Sequence, residues 1–335
     1  AWSMARCFGL DGTSQLAVLP LYHAHALGFG LMSALTSGGH LVLAERFDPF
    51  AWPEIIRRES VTVSSVVPTL LPPLLETRVD AAKVPTLKAL LVSSAPLDTS
   101  LARTFEERTG IPLVQGWGLS EYTNFACCLS PALPAAERRE LLFGGELTSV
   151  GSPLEQTEVT VLEGELCVRG PSRMLGYFKD EAATRATVDG DGWLHTGDEG
   201  EVREVAGRRS YFITGRKKEI IIRGGEKISP LAVERKLLAA VPELLGQLVV
   251  VGFAHQAQGE EVGAYVEAEA LDEKVRLGLM AALDALPLDL RPKVVLHGAA
   301  PIPRTHTGKI QRRKLQPLFA KFADHKGPVH VERVD

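Results

Sequence analysis

Residues 87–121 read LKALLVSSAPLDTSLARTFEERTGIPLVQGWGLSE. The run LKALLVSS (87–94) is apolar and of strand length, and IPLVQGW (111–117) is a second run of the same kind. Between them, DTSLARTFEERTG has helical length, with Asp98 as its N-cap and Gly110 as its C-cap. Strand, helix, strand is the unit of a parallel sheet, because parallel neighbours need a long crossover between them.

The same alternation extends upstream. QLAVLP (15–20), HLVLAE (40–45) and VTVSSVV (61–67) are short apolar or β-branched runs, separated by the helix-length stretches LGFGLMSALTSGG, PFAWPEIIRRES and PTLLPPLLETR. The repeated unit predicts an α/β fold, a parallel sheet flanked by helices. Ligands bind outside the carboxyl ends of the strands in such sheets. The segments leaving those ends are PLYHAH (20–25), VPT (67–69), SSAPL (93–97) and GWGLSE (116–121), and they are expected to converge on one cleft. In GWGLSE, Gly116 and Gly118 leave room for a flat ligand, Trp117 offers a stacking face, and Ser120 and Glu121 offer a hydroxyl and a carboxylate. These groups suit a purine and a metal-bound phosphate; taken alone, they also suit a tight turn with polar residues. GLSEY falls one glycine short of the GxSxG elbow of hydrolases, a weak basis for a serine nucleophile.

Beyond residue 140 the texture changes to short strands and turn residues, the pattern of an antiparallel, glycine-punctuated region. DGDG (189–192) lacks the later ligands of a calcium loop and reads as a turn. THTGK (305–309) lacks the first glycine and the trailing Ser or Thr of a Walker loop. From Ser229 onward, PLAVERKLLAAV, QLVVVGF and VRLGLMAALDAL describe a separate small α+β domain ending near Leu318, and the remainder shows no periodicity.

Length and composition set outer bounds. A chain of 335 residues accommodates one large and one small domain. The formal net charge is −4 and neither half is strongly basic, so there is no electrostatic footprint for nucleic acid. No apolar run reaches the length of a transmembrane segment, and the N-terminus lacks the order of a signal peptide, so a cytoplasmic protein is expected. Cys7, Cys127, Cys128 and Cys167 make no CxxC pair or metal-ligand spacing and are expected to be reduced core thiols.

GWGLSE, GELCVRGP with GY, GDGWLHTGD, YFITGRKKEIIIRGGEKISPLAVE and PRTHTGKIQRRKL occur in this order along the chain. Together they resemble the motifs of the adenylate-forming (AMP-binding) superfamily, of the acyl-CoA synthetase or fatty-acid-CoA ligase type, and the resemblance covers nearly the whole chain. It implies that Mg-ATP activates a carboxylic acid as an acyl-adenylate with release of pyrophosphate, and that the acyl group then passes to a thiol, CoA or a phosphopantetheine. It also implies a domain plan. Residues 1–217 would be the C-terminal part of the large AMP-binding domain, parallel α/β over 1–140 and a β-rich subdomain over 141–217. Residues 218–318 would be a small mobile domain and 319–335 a tail.

By the same resemblance, Glu121 would hold Mg2+ and Ser120, where the family usually has Thr, would lie beside the phosphates. Trp117, between Gly116 and Gly118, would lie against the adenine, with Ser94, Ala95 and Pro96 forming the opposite wall. Asp198 would accept from both ribose hydroxyls, and Arg216 would donate to the same ribose. Lys309 would touch the reacting carboxylate and the α-phosphate and stabilise the charge that grows there in the transition state, which makes it the expected catalytic residue. A hinge at Lys218 would withdraw Lys309 after adenylation and bring up Gly224 and Gly225, which leave a channel for a phosphopantetheine arm. His23 would gate an acyl pocket lined by Val67, Thr69, Ser94 and Leu119. LYHAHALG holds no acidic residue to pair with an amine, so a fatty or other acyl or aryl acid is expected.

One departure stands out. The family's phosphate loop, of the form TSGTTGxPKG, belongs some tens of residues before LPLYH, and this sequence supplies no such stretch there. A fragment of a longer ligase, or one part of a split enzyme completed by a separate N-terminal polypeptide, is therefore expected. QLAVLP is then expected near a sheet edge. Three readings stay open on these grounds: an acyl-CoA synthetase, a stand-alone ligase loading an acyl carrier protein, and a truncated, non-catalytic protein that binds nucleotide or acyl ligand.

Overall fold

The computed structural model describes residues 1–305 and 308–334. Its contacts fall into two compact units, Ala1–Ile213 and Thr214–Asp335. In the first, the strand runs become β1 (Ser14–Ala17), β2 (His40–Leu43), β3 (Val61–Val66), β4 (Ala89–Val92) and β5 (Leu113–Leu119). They pair in parallel in the order β2-β1-β3-β4-β5. β1 is thus an interior strand, and the edge expected for QLAVLP belongs to β2, because His40–Leu43 covers that side of Ser14–Ala17. Ala89, Leu90, Leu91 and Val92 are all 0% exposed, which explains why β4 is apolar without alternation: helices cover both faces.

The helix Thr99–Thr109 forms as its ends dictate. The Asp98 carboxylate accepts the N–H groups of Ser100 at 2.8 Å and Leu101 at 3.0 Å, and Gly110 ends it at φ 66°. Its buried face includes Glu106, which takes the Leu113 N–H at 3.1 Å and pairs with Arg138 of the helix Ala135–Phe143. That ion pair fastens two helices to the entry of β5. Upstream, the segment expected to be one helix is a π-helix, Ala26–Met32, continued by the α-helix Ser33–Ser37. A short helix that the sequence pattern did not suggest, Trp2–Phe8, buries Met4, Ala5 and Phe8.

Parallel pairing stops at β5. Ser120–Tyr122 make one 3-10 turn, Thr123 and Asn124 take φ of 49° and 97°, and the chain reverses into β6 (Asn124–Cys128), antiparallel to β5. The antiparallel region therefore begins near residue 124 rather than 140, since two positive-φ residues make the reversal before the composition changes. β7 (Ser149–Pro153), β8 (Glu158–Leu162), β9 (Glu165–Arg169), β10 (Leu194–Val205) and β11 (Arg208–Arg216) follow. The full path is β2-β1-β3-β4-β5-β6-β7-β11-β10-β9-β8. DGDG is a turn, with the Asp189 carboxylate accepting the N–H groups of Asp191 at 3.0 Å and Trp193 at 2.9 Å.

The second unit holds the hairpin β12 (Ile221–Arg223) and β13 (Glu226–Ile228), then β14 (Leu248–His255), β15 (Gly259–Glu267), β16 (Val294–Gly298) and β17 (His330–Arg333). The helices Pro230–Ala240 and Glu273–Ala285 bury Val233, Leu237, Leu279 and Leu283 in one core cluster with Val250, Val262 and Val295 of the sheet. A second cluster joins Val249, Val251 and Leu296 to Phe319, whose ring stacks on Phe253 at 5.2 Å. The stretch after Leu318 is therefore no tail. Phe319 and Phe322 are core residues and β17 pairs in parallel with β16, but the segment is too short and too broken by Gly327 and Pro328 for a period to show.

Candidate active site at the carboxyl ends of the strands

The sheet brings together two residues far apart in sequence. Trp117, on β5, donates its indole N–H to Asp198 Oδ2, on β10, at 2.8 Å. Both side chains are buried, Trp117 at 8% and Asp198 at 3% exposure. An indole has one donor, so this bond fixes the ring's orientation and engages one carboxylate oxygen. Thr196 holds the strand in place, donating its hydroxyl to Leu166 O at 2.6 Å and accepting the Asp198 N–H at 3.1 Å.

Gly116 and Gly118 serve a different purpose from the one expected. A Cβ at 116 would lie 2.6 Å from Phe125 Cε1, and one at 118 would lie 1.5 Å from the Asn124 carbonyl oxygen. The space assigned to a flat ligand is occupied by β6, and the missing side chains let β5 and β6 close on each other.

Ser120 is exposed and opens the turn after β5, with the half-buried Glu121 following it. The Glu121 carboxylate accepts from the Tyr177 hydroxyl at 3.0 Å, and its carbonyl accepts the Met174 N–H at 2.7 Å. Burial, with the Glu121 hydrogen bond adding to it, raises the Tyr177 pKa, so the phenol stays protonated and donating. A carboxylate flanked by hydroxyl oxygens is a donor set suited to Mg2+.

Ser93 and Ser94 follow β4, the latter at φ 71°. Their hydroxyl oxygens lie 2.9 Å and 3.0 Å from His25 Nδ1. Ala95 is half-buried and Pro96 exposed beyond them. Of the expected acyl-pocket residues, His23 follows β1, Val67 and Thr69 follow β3, and Leu119 ends β5; all lie on the carboxyl-end rim, Val67 buried and Thr69 exposed.

Burial drives the His25 pKa down to about 3, with the neighbouring His23 adding to the shift. Its ordinary value is 6.5, so between 6.5 and about 3 the unfolded chain binds a proton that the folded chain does not. Stability attributable to His25 is therefore complete above this window and falls as the pH drops through it, by up to about 1.4 kcal/mol per pH unit. His25→Phe is expected to flatten that acid slope, read by urea unfolding at neutral pH and midway through the window. An unchanged slope would mean that His25 titrates in the folded protein.

In the second unit, Arg216 closes β11 and Lys218 sits in the 3-10 turn Lys217–Glu219, both exposed. Gly224 and Gly225, at φ 57° and 93°, make the turn of the β12–β13 hairpin. Lys309 is exposed and its backbone is tied to Thr305: Thr305 N–H donates to Lys309 O at 2.8 Å and Lys309 N–H donates to Thr305 Oγ1 at 3.1 Å, while Gly308 takes φ 78°. His306 and Thr307, within the same motif, lie outside the described residues. Arg312 anchors the chain that follows. It donates to Glu219 at 2.9 Å, to Val250 O at 3.0 Å and to both oxygens of Glu234.

Sequence reasoning did not single out His25, Asn124 or Tyr177. HAH and GY were visible as strings, but burial of one histidine and the reach of Tyr177 to Glu121 arise from the packing of distant segments.

The ATP-bound MatB from Rhodopseudomonas palustris shares the fold with a TM-score of 0.82 at 24% identity, over 96% of this chain and 63% of that one. The chain belongs to the AMP-binding enzyme family, whose pattern matches residues 1–178. A sulfoacetate-CoA ligase of Cupriavidus necator is 33% identical over 93% of this chain and 60% of its own length. The o-succinylbenzoate CoA synthetase (MenE) of Bacillus subtilis, in complex with its acyl-adenylate intermediate, superimposes with a TM-score of 0.79 at 27% identity, over 94% of this chain and 63% of that one. The chain thus spans roughly three-fifths of the length of these relatives.

Proposed function

We propose that this chain acts in the ATP-dependent activation of a carboxylic acid as an acyl-adenylate and in transfer of the acyl group to CoA, as an AMP-forming acid-thiol ligase. The observation that carries this reading is the buried Trp117–Asp198 pair at 2.8 Å, an aromatic ring and a carboxylate set beside the strand ends where a nucleoside would bind. The CoA-ligase names of the relatives favour CoA over a carrier protein as acceptor.

Trp117, with Ser94, Ala95 and Pro96, forms the adenine site. Asp198 accepts from the ribose, and Arg216 donates to it. Glu121 and Ser120 hold Mg2+ against the phosphates; the bound ion would neutralise phosphate charge. Lys309 is the catalytic residue for adenylation. Lys218 serves as the hinge, and Gly224 and Gly225 pass the pantetheine arm. His23, Val67, Thr69 and Leu119 receive the acyl chain, a fatty or other unaminated acid.

Calorimetric titration with AMP and with 2'-deoxy-AMP tests the nucleotide site. Asp198→Ala is expected to weaken AMP binding by about 10-fold or more, the value of a hydrogen bond to a charged group. It should also narrow the gap between the two nucleotides. Asp198→Asn keeps an acceptor for the Trp117 indole and should lose less. Unchanged discrimination in Asp198→Ala would remove this residue from the ribose site.

A further inference from the structure

Near the acyl-pocket rim, His25 and Asn124 are buried polar residues to which the adenylation reading gives no role. His25 and Asn124 are each only 7% exposed. Among the described residues, His25 Nε2 and Asn124 Nδ2 are buried with no hydrogen-bond partner in the protein. An unmet buried polar group is destabilising, so a native fold retains one where something else meets it.

Both residues lie beside the π-helix that starts at Ala26. Gly28 lies in the π-helix that begins directly after His25, and a Cβ built on it would sit 2.9 Å from Asn124 Nδ2. The Phe125 ring, adjacent to Asn124 in the chain, meets the His25 ring edge-on at 5.2 Å. Ser94 and Asn124 hold φ of 71° and 97°, strained backbone of a kind that concentrates at ligand sites.

The hydrogen-bonding sense follows from the partners. His25 Nδ1 lies within reach of the Ser93 and Ser94 hydroxyls, and when it accepts from one of them the imidazole hydrogen resides on Nε2. Asn124 Nδ2 is a donor as well. Two buried donors thus lie along the segment around Ala26–Met32 with no partner among the described residues. Among the described residues, His25 has hydrogen-bond or ring contacts with Ser93, Ser94, Phe29 and Phe125 and an electrostatic neighbour in His23, none of them a lysine or arginine. Burial keeps His25 neutral at physiological pH. A carboxylate or sulfonate tail would be buried there without a counter-charge, which is costly, whereas an uncharged oxygen is not penalised in that way.

We propose that His25 and Asn124 donate hydrogen bonds to an uncharged oxygen on the acyl portion of the substrate, so that the enzyme selects acids bearing a keto, hydroxyl or ether oxygen over plain hydrocarbon acids. This rests on the acyl-adenylate reading above. Discrimination of this type is large because an analogue lacking the oxygen leaves both donors unmet.

The test is calorimetric titration of the full chain with β-, γ- and δ-keto acyl-adenosine sulfamates and with the straight alkanoyl analogue, needing no turnover. At least one keto analogue is expected to bind about 10-fold or more tightly than the alkanoyl compound. His25→Phe, and independently Asn124→Gly, which tolerates the positive φ, should bring that preference to within about twofold, the margin left once the donor is gone. Should one variant fail to fold, the other and the wild-type comparison decide. Equal binding of keto and alkanoyl analogues, the result expected if water alone satisfies the two donors, would overturn the inference and leave the adenylate reading standing. A preference surviving in both variants would also overturn it. Failure of every sulfamate and of AMP to bind would remove both.

Discussion

Lys309→Ala is expected to slow acyl-adenylate formation by about 10²–10³-fold, the usual cost of removing one group that stabilises developing charge. As a carboxylate attacks the α-phosphorus, negative charge gathers on the transferring group, and an ammonium placed there stabilises the transition state more than the bound reactants. In the proposed reading Lys309 supplies that group. Thr305 is bonded to Lys309 through both backbone and hydroxyl, Gly308 supplies a φ of 78°, and the side chain is exposed rather than packed. Thioester formation from supplied acyl-adenylate and CoA has no such charge to stabilise and should stay within a few-fold of wild type. Single-turnover assays of the two half-reactions separate the outcomes. Equal loss in both would refute the role.

The second large effect is on stability. Arg312→Ala should destabilise the second unit by about 3–5 kcal/mol, the cost of leaving a buried charge uncompensated. The Arg312 side chain is 11% exposed and that of Glu234 is 7% exposed. Glu234 Oε1 also takes the Val250 N–H at 2.7 Å, so the carboxylate cannot swing out to water without breaking a strand contact. Its neighbours hold the Arg312 pKa above its ordinary value against the opposing effect of burial. Urea unfolding should show a clearly lower midpoint for Arg312→Ala. Pairing Arg312→Met with Glu234→Leu should restore most of the loss, because no buried charge is left alone. A midpoint equal to wild type in Arg312→Ala would show that the network carries no weight. Since Arg312 lies three residues beyond Lys309, the same substitution tests whether the loop's position depends on this anchor.

Local patterns made the parallel part of the fold legible. The five strand runs, the Asp98 cap, the Gly110 stop and the DGDG turn all depend on neighbouring residues, and all appear where those residues stand. What depends on distant contacts was not legible. The close approach of Gly28 to Asn124 joins segments that no window of sequence compares, and the same holds for the π-helix in which Gly28 lies. The reversal at Thr123 and Asn124 rests on two dihedrals, not on composition. Gly116 and Gly118 were visible, but whether β6 or a ligand fills the space beside them is a fact of packing. In the site, Trp117 and Asp198 were singled out by motif, while the hydrogen bond between them appears only once β5 and β10 take their places. His25 remained one histidine of a pair until its burial set it apart.

The fate of ATP tests the functional reading most directly. The protein in its natural length, supplied with Mg-ATP, CoA and a panel of carboxylic acids, should convert ATP to AMP and pyrophosphate only when an acid is present, with one acyl-CoA formed for each AMP. Conversion to ADP and phosphate, or ATP consumption indifferent to the acid, would contradict it.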